Sequence, residues 1–169
     1  MSAVAETKGE ERSLHEQQYL TFMMADEEYG VDILAVQEIR GWEESTLIPN
    51  APEYIRGVIN LRGTIVPIMD LRIRFGLKRV EYSPVTVVVI LKVEHNNGER
   101  VMGIVVDAVS DVYTISEQAT RKPPELTEDC NSRFIRGLVS VNEKMVILLD
   151  VNELLKIPAS SEMPGAVSQ

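Results

Sequence analysis

Apolar residues in this chain arrive in short runs and alternating stretches, the period-two signature of strands, and seldom at helical spacing. "QYLTFMM" (18–24), "EYGVDI" (28–33), "VTVVVILKV" (85–93) and "ERVMGIVVD" (99–107) all have strand composition. Between the last two, Asn97-Gly98 is a type I′ hairpin signal. Helical pieces are few and short: "LRIRF" (71–75) and "VNELLKI" (151–157). Each follows an aspartate, Asp70 or Asp150, suited to an N-cap, and Gly76 stops the first. Short strands, frequent turns and few helices predict a mostly β chain folded as two small antiparallel barrels.

The number two comes from a repeat. "YIRGVINLRGTIVPIMDL" (54–71) returns as "FIRGLVSVNEKMVILLDV" (134–151). Ile55/Ile135, Arg56/Arg136, Gly57/Gly137, Val66/Val146 and Asp70/Asp150 are identical, and pairs such as Tyr54/Phe134 and Ile68/Leu148 exchange one apolar residue for another. Upstream, "GVDILAVQEI" (30–39) is echoed by "GIVVDAVSDV" (103–112) in the same order. This is an internal duplication. In the first copy Pro52 suits the first turn of a short helix and Gly57 is expected as its left-handed C-cap, with Gly137 alike. "VINL", the Arg62-Gly63 turn and "TIVPIM" then read as a β-hairpin. Pro67 cannot donate to a ladder, so its strand is expected at an edge or bulge. A lobe of this size buries a marginal core alone, so the two are expected to share an apolar interface.

Composition narrows the class. The chain has 169 residues, 44% hydrophobic and 25% charged, with a formal net charge of −9. That balance disfavours nucleic acid and anionic membrane as main partners. The lone Cys130 excludes an intrachain disulfide framework and fits a reducing cytoplasm. The opening residues lack the apolar stretch of a secretory signal, and no apolar run approaches the length of a membrane helix. Residues 1–16 and 158–169 read as flexible tails around a domain spanning 17–157, with its two lobes divided near residue 80.

No catalytic constellation is visible: no Walker loop, no GxGxxG, no nucleophile elbow. His15 and His95 each lack a second ligand at metal spacing and read as solvated side chains. Cys130 sits among acids, which disfavour a thiolate. Met23, Met24, Met69, Met102 and Met145 fall in strand-like runs and read as core filling. "TRKPPE" (120–125) reads as a loop. No cofactor or metal is expected.

The differences between the copies carry more function than the matches. Arg62-Gly63 at the first hairpin tip becomes Asn142-Glu143 in the second, so the scaffold does not require arginine there. A guanidinium at a hairpin tip is placed to meet a partner's carboxylate, although a solvated turn residue would look the same. Upstream, period two puts Val31, Ile33, Ala35, Gln37 and Ile39 on an inward face, matched by Ile104, Val106, Ala108, Ser110 and Val112. The opposite face, Asp32, Leu34, Val36 and Glu38, mixes acids with apolar residues as docking surfaces do, although a face covered by the other lobe would read the same. A bulge would break this phase.

These segments, "EEYGVDILAVQEI", "YIRGVINLRGTIVPIMDLRIRFG" and "VMGIVVDAVSDV", closely resemble the CheW family of bacterial chemotaxis coupling proteins over about residues 17–157. The resemblance implies two five-stranded SH3-like β-barrel subdomains around a shared apolar junction, with strand exchange between them possible. It also implies a non-enzymatic cytoplasmic adaptor, recruited to membrane-associated receptor clusters. Such a protein bridges the cytoplasmic tip of methyl-accepting chemoreceptors to the regulatory domain of the histidine kinase CheA, and it can build CheW–CheW or CheW–CheA rings. Motif by motif, the receptor side falls on Val36, Glu38, Arg62 and Gly63, and the kinase side on Gly57 and Ile65. An adaptor of a non-flagellar chemosensory pathway is the alternative. A small enzyme is opposed by the missing acid–base or metal cluster, and a nucleic-acid-binding barrel by the negative charge and sparse aromatics.

Overall fold

The computed structural model describes residues 16–95, 98–122 and 132–156. His15, Cys130, Asn97, both tails and the Pro123–Glu125 stretch lie outside these residues, as does the side chain of His95.

Local chemistry forms the repeated hairpin. Strand β4 (Ile55–Leu61) turns back into β5 (Thr64–Asp70) through Arg62 at φ 49° and Gly63 at φ 89°. Both angles are left-handed, which matches the twist of the flanking strands. The second copy makes the same hairpin, β9 (Ile135–Val141) into β10 (Lys144–Leu149), with Asn142 at φ 51° and Glu143 at φ 69°. A one-turn helix follows each: α1 (Leu71–Arg74) and α2 (Val151–Leu154). The Asp70 carboxylate accepts from the Arg72 and Ile73 N–H groups at 3.0 and 3.3 Å, and Asp150 from the Glu153 N–H at 3.1 Å. Gly76, at φ 75°, ends α1 by donating to Ile73 O at 3.0 Å.

Tertiary pairing is less local. The other strands are β1 (Glu16–Met24), β2 (Glu27–Asp32), β3 (Val36–Gly41), β6 (Val87–His95), β7 (Gly98–Val106) and β8 (Ala108–Ser116). They form two five-stranded sheets, β8-β1-β2-β10-β9 and β3-β6-β7-β5-β4. Sheet membership is therefore not contiguous in sequence: the first two strands join the second hairpin. A parallel pairing makes each join, Leu148 opposite Gly30 in one sheet and Ile68 opposite Gly103 in the other. These are duplicate positions. A Cβ on Gly103 would stand 2.7 Å from Ile68 Cδ1 and one on Gly30 3.2 Å from Leu148 Cδ2, so glycine eases the close approach of the parallel strands at both places.

The ladders do not close into full barrels. Single bridges, Thr46 to Val58 and Arg121 to Leu138, draw the segments after β3 and β8 onto β4 and β9. The result is a pair of SH3-like, open five-stranded units. Pro67 is not on an edge strand as expected, since β5 lies between β7 and β4; it is accommodated one residue beyond the β5–β7 ladder, which begins at Ile68, so its missing N–H leaves no parallel partner wanting.

The largest core sits between the sheets. Leu20, Phe22, Met24 and Val31 from one meet Val89, Leu91, Ile104 and Val106 from the other, sealed by Phe134 and Leu154. Smaller clusters lie within each unit, around Ile59, Val66 and Ile68 and around Val139, Val146 and Leu148. Each buried aliphatic side chain contributes roughly 1.5–3 kcal/mol, so the junction is the main stabilising element and the two units do not stand as separate domains.

Three further expectations change. Residues 53–54 form a turn, with Ile55 N–H donating to Pro52 O at 2.9 Å, and Gly57 is not a helix cap. It lies inside β4 at a register shift, with φ 136°, whereas Gly137 has no left-handed φ. The inward face of residues 31–39 breaks at a 3-10 turn, Ile33–Ala35, nucleated by Asp32, whose carboxylate accepts from Leu34 N–H at 2.9 Å. Beyond it Gln37 and Ile39 are exposed and Val36 and Glu38 half-buried; the echo breaks likewise, leaving Ser110 and Val112 exposed. Met145 is also exposed, because it follows the hairpin turn at the position that Ile65 holds in the first copy. Met24, Met69 and Met102 are buried, as core filling requires.

Candidate partner-binding face

The strand-edge position of β3 and the tip of the β4–β5 hairpin come together in space although they lie at opposite ends of one sheet. Arg62 Nη2 pairs with Glu38 Oε1. Glu38 Oε2 in turn takes Arg40 Nη1 at 3.3 Å, and Arg40 reaches Glu43 at 2.8 Å. The hydrogen bond from Arg62 is the main influence holding the Glu38 carboxyl below the ordinary carboxylate range; burial opposes it, and the Arg62 and Arg40 charges add to it. Gly63 N–H donates to Asn60 Oδ1 at 2.7 Å, which fixes the turn and points the arginine at its partner. The turn remains open, since two-thirds of the Arg62 side chain is exposed. Its exposed guanidinium edge is open to a further carboxylate.

The second copy has Asp111 and Asn142 at the corresponding places, and no ion pair joins them among the described residues. Among the described residues, a tip ion-paired to the edge strand therefore belongs to the first unit alone.

Val36 stands on the same strand as Glu38, half-buried against the junction core. It also lines a cleft of about 530 Å3 where both units meet, together with Leu34, Gln37, Arg136 and Asp150. Leu34 is 87% exposed, an apolar side chain held out by the 3-10 turn. Leu34 falls on the outward face by period two, and the signal for its exposure is Asp32, a capping residue two positions earlier.

The first copy differs at the equivalent place. Around Asp70, the counterpart of Asp150, the space is taken by Tyr82. Its hydroxyl donates to Asp70 Oδ2 at 2.6 Å and its ring packs on Trp42 with centroids 4.2 Å apart. Burial, then the Asp70 hydrogen bond, push the Tyr82 phenol well above its ordinary range. No tyrosine reaches Asp150 among the described residues.

Of the two kinase-side candidates, Ile65 is 61% exposed on the hairpin. Gly57 is buried beneath residues 45–46: a Cβ there would lie 2.5 Å from Thr46 O. It offers no surface, and any influence on a partner passes through the segment it lets approach. Among the described residues, no three His, Cys, Asp or Glu side chains come together as a metal site.

This arrangement is that of a duplicated SH3-like β protein whose distinctive groups lie on its surface. The chain belongs to the CheW family. The family model described as CheW-like domain matches residues 18–159. The chain is 47% identical to Chemotaxis protein CheW of Klebsiella aerogenes over 87% of this chain and 84% of that one. It is 38% identical to Chemotaxis protein CheW of Rhizobium meliloti, covering 80% and 84%. Among solved structures, the scaffolding protein TtCheW from Thermoanaerobacter tengcongensis superposes with a TM-score of 0.75 at 32% identity, covering 88% of this chain and 92% of that one.

Proposed function

We propose that this protein is a non-enzymatic chemotaxis adaptor that couples transmembrane chemoreceptors to the histidine kinase CheA within receptor arrays. The observation that carries the reading is the Glu38–Arg62 pair on one unit only, beside the exposed Leu34 and the cleft behind Val36. A face that combines a charged tip with an apolar ledge suits a helical partner presenting alternating acidic and apolar residues. The receptor's cytoplasmic tip takes this face through Val36, Glu38, Arg62 and Gly63. The regulatory domain of CheA takes the hairpin side, through Ile65 directly and through Gly57 by way of the segment it supports. Family membership and the names of the relatives support the role. No helix among the described residues is long and apolar enough to cross a membrane. On this reading the adaptor is recruited to receptor clusters through its partners.

The test is co-sedimentation with receptor-containing membrane vesicles, with and without CheA. The adaptor should pellet with vesicles alone and should carry CheA down only when present itself. Failure to pellet, or CheA recruitment independent of the adaptor, overturns the reading.

A further inference from the structure

Arg74 occupies the place that Leu154 holds in the second copy. Leu154 is fully buried, so this position of the scaffold accepts an apolar side chain. The first copy puts a cation there. The Arg74 guanidinium lies 4.5 Å from the Tyr54 ring centroid and 4.6 Å from that of Phe134. Arg133 lies 4.7 Å from the same Phe134 ring. Tyr54 and Phe134 are duplicate positions, so the two arginines gather where one copy meets the other.

Stacking on rings uses the faces of the guanidinium groups and leaves their N–H edges free. Arg74 Nε and the Tyr54 hydroxyl are both buried without a hydrogen-bond partner. None of the ion pairs among the described residues includes Arg74 or Arg133. Burial acts most strongly against the Arg74 cation; Tyr54 favours it and the neighbouring Arg133 opposes it. A partly desolvated cation with no counter-ion among the described residues, beside orphaned buried polar atoms, is unfavourable, and the duplicate shows that the fold has no need of it.

We propose that Arg74, Arg133 and the Tyr54 hydroxyl form a binding site for an oxyanion of the carboxylate or phosphate class. The anion bridges the two guanidinium groups and accepts from the phenol, satisfying the buried donors and relieving the repulsion between the cations. The site shares no residue with the Glu38–Arg62 face and does not rest on the adaptor reading.

The experiment follows the arginine Nε–Hε signals of the full-length protein by NMR. It is titrated with inorganic phosphate and, separately, with N-acetylglutamate, at ionic strength held constant with chloride. The Arg74 and Arg133 signals should move together and saturate, while those of Arg40 and Arg62 move little. Saturation by only one of the probes assigns the anion's source to free phosphate or to an acidic side chain. Arg133→Gln should weaken saturation roughly tenfold or more, the loss of one charge-assisted hydrogen bond. Arg74→Leu installs the residue the second copy uses; it should fold and abolish the response. Linear, unsaturable shifts, or unchanged affinity in Arg133→Gln, overturn the proposal. So does a signature already present in chloride that collapses in the Glu125→Gln, Glu128→Gln, Asp129→Asn triple variant, which would mean that the chain's own carboxylates occupy the site.

Discussion

Arg62, at the tip of the β4–β5 hairpin, is ion-paired with Glu38 on β3, the strand at the far edge of the same five-stranded sheet. The pair spans the open side of the sheet, so it brings the tip and the edge strand into one face. Asn142 replaces the arginine in the second copy without loss of the hairpin, which separates its contribution to binding from its contribution to folding.

Arg62→Ala should therefore melt within about 2 °C of the wild type, as an exposed turn substitution does. It should bind a soluble receptor fragment at least roughly tenfold more weakly, while binding to the CheA regulatory domain changes little. Titrations against both fragments, with a thermal melt, check this. Equal loss toward both partners with a lowered melting temperature would show that the pair is structural.

Gly57 and Gly137 are identical in sequence and different in circumstance. A Cβ on Gly57 meets the Thr46 backbone oxygen at 2.5 Å in a backbone of φ 136°; on Gly137, which has no left-handed φ, it meets the Thr120 Cγ2, a side-chain atom, at 2.3 Å and the Arg121 backbone oxygen at a less severe 3.0 Å. Gly57→Ala should cost about 1–3 kcal/mol and Gly137→Ala less. Urea denaturation of the two variants measures the difference, and equal losses would contradict the assignment.

Asp107 ties three elements together. It accepts from Arg72 Nε at 3.0 Å and Nη2 at 2.7 Å, and from the Ala25 N–H at 3.0 Å. Burial acts to raise its pKa, but the Arg72 and Ala25 hydrogen bonds outweigh it and hold the carboxyl below its ordinary value. A depressed folded pKa adds stability that is complete above the unfolded value, near pH 4, and is lost as pH falls through the folded value. Asp107→Asn should lower the melting temperature by several degrees at pH 7 and converge with the wild type in strong acid. Parallel melting curves across that range would exclude the linkage.

Tyr82 titrates the opposite way. Its phenol is held neutral above its ordinary pKa, so the unfolded chain loses that proton first and stability declines as pH rises beyond about 10. Tyr82→Phe leaves the buried Asp70 Oδ2 without its donor, a loss of about 1–3 kcal/mol at pH 7. Tyr19 and Tyr29 are also raised by burial, so the informative quantity is the difference between variant and wild type, which should shrink in alkali. A constant difference would mean that the hydrogen bond is not the source.

Features set by neighbours in the chain were legible from the residues alone. The Arg62-Gly63 turn, the Asp70 and Asp150 caps, the Gly76 stop and the strands themselves depend on φ preferences and side-chain-to-backbone bonds a few residues long. The duplication was legible too, because equivalent places in two like units keep like residues, and so was the dispensability of arginine at the second tip. What depended on distant partners was not. Period two ran through Ile33–Ala35 on paper, but the Asp32 carboxylate captured Leu34 N–H and turned the strand, which exposed Gln37 and Ile39. Gly57 looked like a cap because its need for glycine was visible, yet the crowding atom, Thr46 O, belongs to a segment brought over only by the Thr46–Val58 bridge. Arg74 resembled any helix-end arginine until Phe134 arrived from the other copy. The division is physical: dihedral and capping preferences act over a few residues and are written locally. Crowding, burial and the fate of a charge are fixed only when strands far apart in sequence are laid side by side.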